Sequence, residues 1–114
     1  MIPGLPAGVV DFAQEVRLHG DDFAPWEAVP GTAPALAGST VAEVLADARG
    51  RAAALGVGAD DRVLSTLEWS TVDGVTDGLL AVLVAGASLV QCRNADPAAL
   101  DRRAAAEKVT VRLG

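Results

Sequence analysis

Asp11, Glu15 and His19 recur at four-residue spacing, with Asp22 close behind, so a helix across them would place two carboxylates and an imidazole on one face. That donor set suits a divalent cation. No second group of ligands accompanies it, so a solvated acidic face is the reading adopted and no metal site is assigned. His19 is the sole histidine, and no serine is paired with it. Ser65, Ser70 and Ser88 lack the G-x-S-x-G setting of a strained nucleophile. Gly38-Ser39-Thr40 stands before an apolar-periodic run, the place where backbone N–H groups can meet an anion. Thr40 followed by Glu43 also fits a capping box, and that reading is complete in itself. Trp69 follows a β-rich run, at the end where open α/β sheets place ligands. With Glu68, Ser70, Thr71 and Gly74 it makes a candidate pocket. Asp73 and Asp77 mark the first turns of a helix. Asp60, Asp61 and Arg62 read as turn and strand-start chemistry, and Arg102 and Arg103 as surface charge beside Asp101 and Glu107.

The elements that carry these residues follow from punctuation. Five of the six prolines fall within residues 1–38, which read as an irregular connector containing one short helix, Val9 to Leu18, and then extended chain. Residues 39–114 read as an α/β domain. Helical periodicity follows Thr40 and stops at Gly56; "RVLSTL" is a strand; Ser70 or Thr71 caps a helix from Val72 to Ala85 that ends at Gly86. "ASLVQC" is a second strand, Asp96 and Pro97 open a third helix reaching about Lys108, and "VTVRL" is the last strand. The alternation predicts a parallel sheet of about three strands with right-handed crossovers, a small three-layer α/β arrangement. Gly74 and Gly78, one turn apart, predict close helix–sheet packing.

With 114 residues the chain has the length of one domain, which buries roughly two-thirds of its extended surface. Apolar residues make up 51% but aromatic ones only 4%, and fifteen acidic residues face nine basic ones for a net charge of −6. That balance excludes nucleic acid and anionic membrane as partners. The apolar run "DGLLAVLVAGASLVQ" has 13 residues between Asp77 and Gln91, where a spanning helix needs about 20. The N-terminus has no basic region leading into an apolar one, and the single Cys92 excludes an internal disulfide and reads as a small buried hydrophobe. A cytoplasmic location is expected.

The stretch "LGVGADDRVLSTLEWSTVDGVTDGLLAVLVAGASLVQCRNADPAALDRRAAAEKVTV", about half the chain, resembles the central segment of the adenylate-forming superfamily. Acyl-CoA synthetases of that superfamily read "DRVLS-x-LPLFH-x-x-G-x-x-x-GLLAPLLAGA" there, followed by a "DP" helix ending in "E-x-VT". Gly8 to Phe23 further resembles a group of short actinobacterial proteins distantly related to AMP-binding enzymes. The superfamily resemblance implies an acyl pocket along Leu67 to Gly74 and a phosphate loop of the form [ST]-[SG]-G-[ST]-T-G-x-P-K. This chain departs from both. Thr71 and Ser70 replace the histidine and its aromatic neighbour, and Gly38-Ser39-Thr40 runs into Val41, Ala42 and Glu43 without the second glycine, the proline or the lysine. The family's adenine, ribose and hinge motifs would fall beyond Gly114. The expectation is therefore a non-catalytic relative of this fold, without cofactor, acting through self-association or a protein partner. The alternative is a residual binder of ATP or AMP with magnesium, or of acyl ligands, or an accessory piece of an ATP-dependent ligase. Three strands leave two open sheet edges, which motivates the oligomer or partner.

Overall fold

The computed structural model describes residues 4–114. Its centre is a parallel three-stranded sheet, order β4-β3-β5, built from β3 (Arg62–Ser65), β4 (Ser88–Gln91) and β5 (Val111–Leu113). Val63 lies between Leu89 and Val111, and Leu64 between Val90 and Arg112. Side chains alternate across a strand, so Val63, Leu89, Val111 and Leu113 share one face with Ser65, and Leu64, Val90 and Arg112 share the other. Val63, Leu64 and Ser65 are all buried, as a central parallel strand covered on both faces requires. The chain is α/β.

The first crossover is one continuous helix in three parts: α3 (Val72–Val75), a π segment (Thr76–Leu80) and α4 (Ala81–Val84). Val82 joins Val57 and Val63 in the core, with Leu89, Val111 and Leu113 packed against them. Beside it runs α2 (Val41–Leu55), whose Ala48 and Ala52 are buried. Alanines on that stripe let two helix backbones approach closely. Arg51 and Asp77 clasp the pair through two bonds, of 2.8 and 3.1 Å. The second crossover, α5 (Pro97–Ala106), lies toward the Leu64 face, tied to it by Arg112 and Asp101 at 2.8 Å, and buries none of its residues fully.

The helix boundaries obey local chemistry. Thr40, Thr71 and Asp96 cap α2, α3 and α5, with Pro97 in the first turn of α5. Gly56 (φ 73°) and Gly86 (φ 77°) end α2 and the α3–α4 helix in the left-handed region. Each is followed by an apolar residue whose N–H reaches back, Val57 to the Ala52 carbonyl and Ala87 to that of Val82. The third helix stops in the same way without a glycine. Lys108 takes φ 55° and the Val109 N–H reaches the Ala104 carbonyl, so α5 ends at Ala106 and the last strand begins at Val111, not at Val109.

The N-terminal third departs from expectation in two ways. The short helix is α1 (Phe12–Glu15), followed by a 3-10 turn (Val16–Leu18); it starts late because the Asp11 carboxylate accepts the Ala13 N–H and fixes the first turn there. The segment up to Gly38 is also not all connector. β1 (Pro34–Leu36) pairs antiparallel with β2 (Ser39–Thr40) around Ala37 (φ 50°) and Gly38 (φ 84°). Two successive positive φ values are the signature of a type I′ hairpin. The expected division between residues 38 and 39 therefore falls inside a hairpin. Residues 9–29 carry no buried side chain. The molecule's radius of gyration is 17.7 Å, against roughly 13 Å for a compact domain of this length.

Candidate functional site

Gly38, Ser39 and Thr40 are brought together at the N-terminus of α2, and each has a structural task. Gly38 forms the turn and Ser39 pairs in β2. The Thr40 hydroxyl accepts the Glu43 N–H at 3.2 Å, while the Thr40 N–H donates to the Glu43 carboxylate at 2.9 Å. The next two amides are engaged as well: Val41 N–H donates to the Ala33 carbonyl and Ala42 N–H to that of Gly31, both at 2.9 Å. A phosphate cradle needs several unengaged N–H groups converging on one oxyanion. Here every amide from Thr40 to Glu43 already has an acceptor inside the chain. The negative charge favoured by the helix dipole is supplied by Glu43 itself. The Thr40 N–H, and then its hydroxyl, hold that carboxyl below the usual carboxylate range.

The second candidate lies after β3. The loop from Thr66 to Thr71 is pinned at both ends of its path. Thr66 N–H donates to the Leu113 carbonyl at 3.0 Å, and the Gln91 side-chain amide donates to that of Leu67 at 2.7 Å. Behind the loop stands the glycine stripe. A Cβ on Gly74 would meet the Glu68 carbonyl, and one on Gly78 would sit 3.1 Å from Leu67 Cβ. The close approach predicted for these glycines is real, but the surface approached is this loop and the end of β3, not the sheet face. In the π segment the Gly78 carbonyl accepts the Trp69 indole N–H at 3.4 Å, which fixes the ring with nearly half its surface exposed.

The five candidate pocket residues do not share one cavity. Glu68, Trp69 and Ser70 border a shallow depression of about 310 Å³ with Gln91 and Arg93. Glu68, Ser70, Thr71 and Gly74 border another of about 330 Å³ with Leu67, Asp73 and Asp77. Gln91 and Arg93 escaped the sequence reading. The parallel register, which sets Gln91 beside Ser65, is the signal that places them there. Gln91 leaves one side-chain oxygen buried without a partner. The Thr71 hydroxyl is committed to the Gly74 N–H, and the buried Ser65 hydroxyl accepts that of Leu67.

The remaining clusters resolve into structural roles. Glu15 and His19 stand 3.6 Å apart in the open, and Asp11 caps α1. Among the described residues no group of three or more histidine, cysteine, aspartate or glutamate side chains is placed to hold a metal ion. Asp61 accepts the Gly58 N–H at 2.7 Å and the Thr110 hydroxyl at 2.8 Å; these bonds, the backbone one foremost, keep its carboxyl below the usual range. Asp77, hydrogen-bonded to Arg51, raises that guanidinium's pKa further still. Cys92 is half-buried, not buried, because it follows the last residue of an edge strand. Among the described residues no helix is long and apolar enough to cross a membrane.

Among known proteins, the chain is similar to a "TIGR03089 family protein" of Mycobacterium tuberculosis, with 57% identity over 107 residues. The match takes in 94% of this chain and 43% of the relative, so the chain spans less than half the length of the curated protein it matches. No family model matches the sequence, and no solved structure matches it.

Proposed function

We propose that this chain is a non-catalytic relative of the adenylate-forming fold that works through contact with other polypeptide. The observation that carries the reading is the uncovered arm of residues 9–29. Phe12, Leu18, Phe23 and Trp26 are between 76% and 102% exposed there. Single exposed apolar residues need no explanation, but a run of large ones within one segment marks an interaction surface. The engaged amides at the start of α2 support the non-catalytic half, since a triphosphate would have to displace four internal hydrogen bonds and a carboxylate to bind there. The open outer edges of β4 and β5 offer further pairing.

The test is the mass of the protein recovered from the cells that make it. Native mass spectrometry and light scattering at micromolar concentration should find the chain in an assembly heavier than its own 11.5 kDa. A Phe23→Ser/Trp26→Ser variant, with an unchanged circular dichroism spectrum, should return to the monomer. A wild-type chain that is strictly monomeric and brings nothing with it contradicts the reading.

A further inference from the structure

The arm has a chemistry of its own as well as an exposed one. Residues 9–29 hold five acidic side chains and one arginine, so most of the chain's net charge of −6 is concentrated on them. The aromatic residues alternate with this charge: Asp21 and Asp22 precede Phe23, and Glu27 follows Trp26. A complementary surface has apolar sockets for Phe12, Phe23 and Trp26 and a rim of lysine or arginine. A second copy of the chain is a poor match, because its own arm repeats the same acidic pattern and its net charge has the same sign.

The similarity to the mycobacterial protein indicates where such a surface would be found. The match includes 107 of the 114 residues, so seven fall outside it, far fewer than the 21 of the arm. The match therefore takes in most of the arm at least, and more than half the relative's length lies outside it. We propose that residues 9–29 dock onto polypeptide of the kind the relative holds outside the shared segment, through an apolar surface rimmed with basic residues. The inference rests on the reading of the chain as an association module and names the occupant. It also accounts for surfaces left open on several sides at once. The two open sheet edges lie on opposite sides of β3, and α5 buries none of its residues, more than one isologous dimer contact would cover.

Hydrogen–deuterium exchange on this chain and on the intact mycobacterial relative tests it. In this chain, freed of any partner, the amides of residues 9–29 should exchange nearly as fast as in a free peptide, since four residues of α-helix with no buried side chain give little protection. The corresponding amides of the relative should be slowed on the order of a hundredfold. Carbodiimide coupling should then join arm carboxylates to lysines outside the matched segment of the same molecule. Equal exchange in the two proteins overturns the proposal, as does coupling confined to the matched segment. Arms coupled between copies, with protection in this chain's own dimer, overturn it too, but leave the association reading standing. An unprotected arm in both proteins, with no assembly of either, removes both.

Discussion

The carboxylates of Glu43 and Asp61 each accept a backbone N–H from three residues earlier, and Asp61 also accepts the Thr110 hydroxyl. Both are held below the ordinary carboxylate range in the folded chain. A group whose folded pKa is depressed contributes stability above its unfolded pKa and loses it as pH falls through the folded value. The urea midpoint should therefore decline from about pH 5 downward. Asp61→Asn, which has no carboxylate to protonate, should lower stability at neutral pH and flatten that acid limb. An acid limb of unchanged slope in the variant would contradict the assignment. Residues of this kind were legible in the sequence wherever the partner is local. Thr40 and Glu43 are three positions apart, and their spacing alone identifies the capping box. Gln91 and Arg93 were not legible as neighbours of Trp69, because only the pairing of β3 with β4 brings them there.

Among elements, the two glycines that look alike in sequence differ most in consequence. Gly50 lies on the exposed face of α2 with nothing near its missing side chain, whereas a Cβ on Gly74 would run into the Glu68 carbonyl. Gly50→Ala should raise stability by about 0.5–1 kcal/mol through helix propensity. Gly74→Ala should lower it by roughly 1–3 kcal/mol, because a backbone carbonyl cannot step aside as a flexible side chain can. Urea unfolding measures both, and changes of the same sign would contradict the packing described. The order of helices and strands was readable from caps, stops and periodicity. Two features were not. The π segment, whose Gly78 carbonyl accepts the Trp69 indole N–H, matches no local pattern. The hairpin at Ala37-Gly38 places alanine where asparagine or glycine usually signals the turn. Lys108 hid the end of α5 for the same reason.

At the scale of the whole molecule, the α/β scaffold carries a helix N-terminus closed by its own chain. Neither the arm's exposure nor its lack of packing could be read from sequence, since an apolar residue there is equally consistent with burial under the domain. The saturation of the α2 amides was only half visible: the capping box was legible, but the bonds from Val41 and Ala42 to residues 31 and 33 require the chain to fold back. That closure is the central claim, and it is open to direct observation. Titrating the isotope-labelled chain with magnesium ATP while following backbone amide resonances by NMR should leave residues 38–43 unmoved up to millimolar nucleotide. Saturable shifts there that vanish in Thr40→Ala would contradict the account.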